Sequence, residues 1–340
     1  MSKSKTIQEK NAPEMHMDTQ RIHTARATFA RVKNEIKQVV VGQDKVVDAL
    51  LRAMLCNGHV LIEGVPGIAK TLLMTSLAEV MKADFKRIQF TPDMLPSDIT
   101  GIKTYDPKKG FTTIKGPVFT NFVLADEINR APPKVQSALL EAMQEYQVTI
   151  GDETFPLQRP FFVLATQNTV ESLGVYDLPA AQLDRFLFKL VMGYPTPEEE
   201  KLVLHRNITL YSLSDFNLHR VTDLKELAEM QNLTKSIYLS SQVEEYIVSI
   251  IDATRNPGKY NVESGKYIEE GASPRASIGI YIASKAQALL SGNTFVTPEH
   301  VKEVAADVLR HRIIVNYEGQ AERVNQDAII REILSKVPVT

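Results

Sequence analysis

The stretch HVLIEGVPGIAKTLLM (59–74) decides the fold. A short apolar run leads into a glycine-containing loop that ends in Lys70 and Thr71, and a helix-forming segment follows. This order of strand, loop and helix is typical of loops that bind phosphate groups. The backbone N–H groups of such a loop, together with the helix N-terminus, point at phosphate oxygens. The sequence therefore predicts a nucleotide-binding site here.

The residues of this loop have predicted roles. Lys70 is expected against the β- and γ-phosphates, and the Thr71 hydroxyl is expected to bind Mg²⁺. Ala69 stands where the usual pattern has glycine, and its methyl group is acceptable if φ is negative. A strand-to-helix turn with a chance lysine is the alternative interpretation, which the flanking strand and helix disfavour. The predicted nucleotide-binding residues here are Gly64, Val65, Pro66, Gly67, Ile68, Ala69, Lys70, Thr71 and Leu72.

A second segment, NFVLADEINR (121–130), is an apolar strand that ends in two acids. Asp126 is predicted to hold Mg²⁺ through water, and Glu127 to orient or deprotonate an attacking water molecule. A strand that merely stops at polar residues is the alternative. Because parallel strands bring their carboxyl ends to one sheet edge, an acid pair downstream of Lys70 favours a hydrolytic site.

From about residue 40 to 194, short β-rich runs alternate with helical stretches. Runs that are apolar on both faces and separated by helices predict a buried parallel sheet with helices on both sides, an α/β fold. The predicted strands are HVLIE (59–63), KRIQF (86–90), NFVLAD (121–126), FFVLAT (161–166) and RFLFKL (185–190).

The chain is predicted to divide into four parts. Residues 1–21 form a polar tail, and residues 22–194 form the nucleotide-binding domain, which opens with a helix. Residues 195–204 form a linker, because GYPTPEEE interrupts the alternation. Residues 205–340 show apolar stripes at helical spacing and predict an all-helical domain.

Two insertions interrupt the sheet domain. Residues 91–120 contain so many prolines and glycines that no single regular element fits. Residues 146–158 alternate around Gly151 and Asp152 and predict a β-hairpin.

Composition narrows the class of protein. The 340 residues include 39 basic and 41 acidic side chains, so bulk charge gives no support for nucleic-acid binding. The single cysteine, Cys56, excludes an intramolecular disulfide and a cysteine-based metal cage. No apolar run approaches the ~18–20 residues of a membrane span, and the N-terminal residues are polar. We therefore expect a cytoplasmic protein without a membrane span.

Three further polar residues lie at the ends of predicted elements. Asn168 follows the strand FFVLAT and could reach the γ-phosphate or the attacking water, or it could cap a turn. Arg185 is expected at the start of the last strand, where pairing with Asp184 is the alternative. Arg275 begins a helix capped by Ser273, and a cation there opposes the helix dipole, which suggests an anionic partner.

As a set, these segments resemble AAA+ ATPases and, more narrowly, the MoxR family. The resemblance covers about residues 25–315, and the alanine at position 69 is common in that family. The matching motifs are GVPGIAKT, LADEINRAPPKVQSALLEAMQE, ATQN, LPAAQLDRF and SPRA.

The resemblance implies a P-loop αβα sandwich with a five-stranded parallel sheet, followed by an all-helical lid domain. It implies Mg²⁺-dependent ATP hydrolysis by a homo-oligomer, expected as a hexameric ring. Arg185 becomes the arginine finger that reaches a neighbour's γ-phosphate, and Arg130 is a second candidate for that contact. Asn168 and Arg275 become the strand and lid sensors, and the segment 41–43, with Gly42 and Gln43, lines the adenine pocket.

MoxR-like proteins are associated with the maturation of protein complexes, often with von Willebrand A-domain partners. A chaperone-like remodeller that acts on a protein client is therefore the first hypothesis. A DNA-acting motor is disfavoured because the hairpin tip carries Asp152 and Glu153 and no lysine. A chelatase-type motor subunit stays open. A transcription activator lacks support because residues 91–120 contain no GAFTGA-like loop. A P-loop kinase would need neither Arg185 nor a helical lid.

Overall fold

The structure, a computed structural model, describes residues 12–64, 69–108, 110–168, 174–206 and 213–339. The strands are β1 (Val60–Gly64), β2 (Phe85–Gln89), β3 (Gly101–Asp106), β4 (Gly110–Lys115), β5 (Phe122–Asp126), β6 (Gln147–Ile150), β7 (Glu153–Pro156), β8 (Phe162–Gln167), β9 (Phe188–Met192), β10 (Ile268–Glu270) and β11 (Ile314–Val315). The helices are α1 (Ala12–Val39), α2 (Asp44–Leu55), α3 (Lys70–Val80), α4 (Pro96–Thr100), α5 (Pro133–Glu145), α6 (Ala180–Leu183), α7 (Pro197–His205), α8 (Leu224–Ser236), α9 (Ser241–Arg255), α10 (Pro274–Ser291), α11 (Pro298–Leu309), α12 (Tyr317–Ala321) and α13 (Gln326–Lys336).

A five-stranded sheet with the order β2-β5-β8-β1-β9 organises the chain, and every neighbouring pair in it is parallel. The predicted parallel sheet is confirmed, and each of the five predicted runs supplies one of its strands. Because the strands are parallel, the carboxyl ends of β1, β2, β5 and β8 lie at the same edge. The loops and turns that follow them carry the predicted site residues.

Both faces of this sheet are buried. Leu61, Val123 and Val163 belong to one core cluster with residues of α5. The residues that alternate with them, such as Phe122 and Phe162, are also buried, and their two rings pack at 5.9 Å. Since α3 contacts β2 and β5, the predicted sandwich of helices around a parallel sheet is confirmed.

Both insertions form hairpins. The segment 91–120 contains α4 and the antiparallel pair β3–β4, and the predicted hairpin at 146–158 is the antiparallel pair β6–β7. Lys103 on β3 pairs with the side chains of Asp152 and Glu153 at the tip of the second hairpin. The two insertions are therefore joined by ion pairs.

The chain divides into two compact units, which we call the sheet unit (residues 32–228 and 307–312) and the helical unit (the described parts of residues 1–31, 229–306 and 313–340). These bounds differ from the predicted 22–194 and 205–340. The helical unit contains most of the predicted helical lid, with two additions: residues 12–31 of α1, and the short antiparallel pair β10–β11.

Long-range hydrogen bonds explain the difference in bounds. Residues 307–312 belong to the sheet unit because Arg312 and His311 bond to backbone carbonyls near β9. The N–H of Val221 donates to the carbonyl of Val80 at 2.9 Å, which keeps the segment before α8 in the sheet unit.

Two further expectations need adjustment. Helix α1 begins at Ala12, so residues 12–21, expected as part of a polar tail, are helical. Most of the predicted linker 195–204 is helix α7, which Thr196 and Glu199 open with a capping box. Among the described helices, no segment is long and apolar enough to cross a bilayer.

His59, at the start of β1, gives a pH-dependent prediction. Its ring is buried, Nδ1 accepts from the N–H of Val163 at 3.1 Å, and Nε2 donates to the carbonyl of Met143 at 3.0 Å. Burial lowers the pKa of His59 from 6.5 to about 4, against the opposing effect of the Met143 carbonyl. The unfolded chain therefore takes up a proton before the folded chain does, and the free energy of unfolding falls as the pH drops from 6.5 towards 4.

We expect the loss of stability between pH 7 and pH 5.5 to be about 1 kcal/mol smaller in His59→Gln than in the wild type. Urea unfolding at the two pH values measures the difference. His311 is buried as well, and its pKa is lowered in the same direction, so some loss is expected to remain in the variant. Equal losses in both proteins would contradict the prediction.

Candidate functional site

The two acids predicted from sequence lie at the carboxyl end of β5. The Oδ1 atom of Asp126 accepts a hydrogen bond from the Thr166 hydroxyl at 2.7 Å, and the N–H of Glu127 donates to the same hydroxyl oxygen at 2.9 Å. Thr166 is fully buried on the neighbouring strand β8. This hydroxyl therefore fixes both acids relative to the sheet.

The Glu127 carboxylate has two further partners. Its Oε2 atom accepts from Nε2 of Gln89 at 2.8 Å and from Nη1 of Arg130 at 3.0 Å. Arg130 lies in the short 3-10 turn Ile128–Arg130 that follows Glu127. Gln136 of α5 braces this turn by donating to the carbonyls of Ile128 and Ala131.

Asp126 is also paired with a basic residue of β2. Nε and Nη2 of Arg87 donate to its Oδ2 atom at 3.1 and 2.6 Å, and the same Nη2 donates to Oε1 of Gln89 at 2.7 Å. The Asp126 side chain is 14% exposed and that of Arg87 is 47% exposed. The acids are therefore connected through two residues of β2.

Lys70, the first residue of α3, is electrostatically coupled to both acids. Its Nζ donates to the carbonyl of Gly64 at 2.9 Å. Partial burial lowers the pKa of Lys70, and the charges of Asp126 and Glu127 oppose that shift. One cation and two anions thus converge at this edge of the sheet. Thr71 is half-buried beside Lys70.

The remaining loop residues fall into two groups. Val65, Pro66, Gly67 and Ile68 lie outside the described residues. Leu72 is half-buried in the first turn of α3. Their predicted contacts with nucleotide stay predictions.

Ala69 has a conformation that differs from the sequence expectation. Its φ is 62° and its ψ is 24°, so the backbone is left-handed, and the condition of a negative φ, under which the methyl group is acceptable, is not met. Glu127 is left-handed as well, with φ of 58°. The left-handed region costs an L-residue roughly 1–2 kcal/mol, and such residues cluster at functional sites.

Replacing Ala69 by glycine is therefore expected to stabilise the protein by about 0.5–1 kcal/mol. The gain arises because glycine adopts a positive φ freely, and the greater freedom of the unfolded glycine chain reduces it. Urea unfolding without nucleotide measures the change. Ala78→Gly, within the helix α3 that Ala69 precedes, is the matched control, and it is expected to lose about 1 kcal/mol of stability. A destabilisation of Ala69→Gly equal to that of the control would contradict the prediction.

Asn168 and the segment before α2 are positioned in the sheet unit. Asn168 directly follows β8 and is 7% exposed. Gly42 has a φ of 73°, a conformation that strains residues with a Cβ atom, and a Cβ there would lie 2.8 Å from the Glu199 carboxylate, which would have to move. Nε2 of Gln43 donates to the carbonyl of Gly193 at 3.4 Å. The roles predicted for these three residues stay predictions.

Arg185 lies on the surface, in the turn between α6 and β9, whereas the sequence placed it at the start of the strand. Asp184 accepts from Nε of Arg312 at 2.7 Å. The buried Arg312 guanidinium also donates to the carbonyls of Asp184, Phe186 and Leu187. The backbone on both sides of Arg185 is therefore fixed, while its own side chain is exposed.

Arg275 belongs to the helical unit, where it lies in the first turn of α10. Ser273 caps this helix by accepting from the N–H of Arg275 at 3.2 Å, and Pro274 occupies the first turn, as the sequence predicted. The side chain of Arg275 is exposed.

Sequence reasoning missed Arg87, Gln89, Thr166 and Arg312. The first two occupy alternate positions of β2, and alternate residues share one face of a strand. That pattern could have indicated a polar face, but the pairing of β2 with β5 is needed to identify the partners. Arg312 lies 128 residues from Asp184 in sequence, so no local pattern indicates the pair.

Two known family descriptions match this chain. The family described as "ATPase family associated with various cellular activities (AAA)" matches residues 59–188, and the AAA lid domain matches residues 263–333. Chaperone MoxR1 of Mycobacterium tuberculosis is 45% identical over 312 residues, which are 91% of this chain and 82% of that protein. The uncharacterized protein YeaC of Bacillus subtilis is 44% identical over 314 residues, 92% of this chain and 95% of that protein.

A solved structure extends the comparison to three dimensions. The crystal structure of a candidate ATPase from Cytophaga hutchinsonii matches with a TM-score of 0.89 at 46% identity, over 96% of this chain and 99% of that chain. The similarity thus spans both the sheet unit and the helical unit. The chain belongs to the MoxR family of AAA+ ATPases.

Proposed function

We propose that this protein is an oligomeric, Mg²⁺-dependent ATPase that hydrolyses ATP to ADP and phosphate and acts as a chaperone-like remodeller or maturation factor for a protein complex. The convergence of Lys70, Asp126 and Glu127 at the carboxyl edge of the sheet carries the proposal. A phosphate-binding cation, an oxygen ligand and a carboxylate base are the side chains that phosphoryl transfer to water requires.

The residues at this edge fit a magnesium nucleotide. Mg²⁺ prefers oxygen ligands, and the Asp126 carboxylate and the Thr71 hydroxyl supply them. Bound ATP would supply the transferable phosphoryl group, and bound Mg²⁺ would neutralise its charge. Lys70 binds the phosphates, Glu127 orients or deprotonates water, and Asn168 holds the water or the γ-phosphate.

Arg185 is the residue that makes hydrolysis depend on assembly. Its exposed side chain on a fixed backbone suits contact with a second copy, and an arginine supplied in this way contributes about 10³–10⁵ in rate. A head-to-tail contact that closes makes a ring, for which we propose six subunits. Arg130, which is bound to Glu127, ranks second for this role. The proposed roles of Arg275 as the lid sensor and of Gly42 and Gln43 in the adenine pocket rest on the family resemblance.

The chaperone-like role is supported by the name of the relative MoxR1 and by the surface of the first hairpin. Tyr105 and Phe111 are 65% and 70% exposed, and their ring centroids lie 5.2 Å apart with the ring planes tilted by 60°. Ile102 and Ile114 are exposed on the same hairpin. Exposed apolar groups of this kind suit contact with a protein client. We propose a cytoplasmic client complex and, from the family resemblance, a von Willebrand A-domain partner.

A DNA-acting motor is less well supported. The tip of the β6–β7 hairpin carries Asp152 and Glu153, and Lys103 pairs with both, so the tip offers no excess positive charge to a phosphate backbone. A chelatase-type motor subunit remains the alternative, because it would use the same catalytic edge.

ATP turnover per subunit, measured over a wide range of protein concentrations, tests the proposal. We expect a rate that rises with concentration, because each site needs the arginine of a neighbour. A Lys70→Ala variant is the control and is expected to bind no ATP. A rate that is independent of concentration would indicate a self-sufficient hydrolase and contradict the oligomeric mechanism.

A further inference from the structure

A hydrogen-bonded chain on β2 joins the two acids of the site, and the proposed mechanism does not use it. The chain runs from Asp126 through Arg87 and Gln89 to Glu127. We propose that Arg87 is a positioning residue that couples the state of the Asp126 carboxylate to that of Glu127 through Gln89. This inference rests on the proposed function.

The strand register creates this arrangement. In the parallel pair β2–β5, Gln89 lies opposite Asp126 and Arg87 lies opposite Leu124. Residues 87 and 89 share a face of β2 because alternate residues of a strand point the same way. The long Arg87 side chain spans this interval and donates to both Asp126 and Gln89. One guanidinium thus contacts the carboxylate and the amide together.

The Gln89 amide can take only one orientation in this chain. A guanidinium has no acceptor and a carboxylate has no donor. Therefore Oε1 of Gln89 faces Arg87 at 2.7 Å, and its Nε2 faces Glu127 at 2.8 Å. Hydrogen bonds in such chains polarise and strengthen one another, so Arg87 strengthens the contact of Gln89 with Glu127.

The Asp126 carboxylate is already occupied. Arg87 binds its Oδ2 atom and the Thr166 hydroxyl binds its Oδ1 atom. Arg87 and a bound divalent cation therefore compete for the same negative charge, and Arg87, which is half-exposed, can yield. When Arg87 yields, Gln89 loses its anchor and Glu127 is held less firmly. By linkage, binding of the cation at Asp126 and release of Glu127 from Gln89 favour each other.

Binding of a fluorescent ADP analogue, titrated with Mg²⁺ from an EDTA-treated start, tests the first half of the coupling. We expect Arg87→Ala to lower the Mg²⁺ concentration at half-effect by about three- to fivefold, the size expected for loss of a partly exposed ion pair. The affinity of Arg87→Ala for the ADP analogue in EDTA, without Mg²⁺, is expected to differ from that of the wild type by less than about twofold. Lys86→Ala removes a charge from the other face of β2 and is the matched control.

An unshifted Mg²⁺ midpoint in Arg87→Ala would overturn the inference, and so would an equal shift in Lys86→Ala, which would indicate bulk charge alone. If the wild type bound no nucleotide at all, the proposed function would fail first. Binding by the wild type with an unshifted variant would leave the function standing and remove only the role of Arg87. Thermal unfolding checks that each variant folds, and Arg87→Gln replaces the alanine variant if it does not.

A double-mutant cycle tests the second half of the coupling. If Gln89 transmits the effect, the change in kcat caused by Arg87→Ala is expected to vanish in the Gln89→Ala background, whereas the Mg²⁺ midpoint still shifts. A merely structural role of Arg87 would not separate the two readouts in this way. An equal change in kcat in both backgrounds would overturn the coupling through Gln89.

Discussion

Glu127→Gln is expected to reduce ATP turnover by about 10²–10⁴-fold while nucleotide affinity changes by less than about threefold. The amide cannot accept the proton of an attacking water molecule, so the step that needs a base is lost. The amide oxygen can still accept hydrogen bonds from Gln89 and Arg130, which bind the carboxylate at 2.8 and 3.0 Å. The local structure is therefore expected to survive.

Steady-state phosphate release and binding of a fluorescent nucleotide measure the two effects separately. Glu63→Gln is the matched control, because Glu63 is a carboxylate on β1, two strands away from β5, and pairs with Lys189 at 2.8 Å. We expect this control to retain turnover within about threefold. If Glu127→Gln retained more than a tenth of wild-type turnover, the base would have to be another group.

The sheet, and the positions of the two acids and Lys70 relative to it, could be predicted because local patterns encode them. Five apolar runs separated by helices imply a parallel sheet, whatever the order of the strands in it. The acids at the end of β5 and Lys70 at the start of α3 follow from the rule that such sites lie at the carboxyl ends of strands. The hairpin at 146–158 follows from alternation around a turn.

The residues that connect the site could not be predicted, because their partners depend on strand order. Gln89 approaches Glu127 only because β2 pairs with β5, and Thr166 contacts both acids only because β8 lies on the other side of β5. The left-handed backbone of Ala69 is set by its surroundings and opposes the preference of alanine itself. Sequence therefore indicated the groups proposed to react but missed those that hold them.

Arg185→Ala is expected to reduce turnover by about 10³-fold or more, with nucleotide affinity within about threefold. The side chain is exposed in the turn before β9, while Arg312 fixes the backbone around it. Loss of the arginine therefore removes a charge from the surface without removing a buried contact. Arg130→Ala, measured beside it, is expected to lose less, because Arg130 contacts Glu127 of its own chain.

Mixing two inactive variants gives the strongest test of the Arg185 role. Arg185→Ala retains Glu127, and Glu127→Gln retains Arg185, so a site of the first variant can receive the arginine of the second. In randomly mixed rings about a quarter of the interfaces combine an intact base with an intact arginine, and we expect turnover to return to about that fraction of the wild type. If the mixture stayed as inactive as its components while both variants bound nucleotide and assembled, Arg185 would have to act within its own subunit.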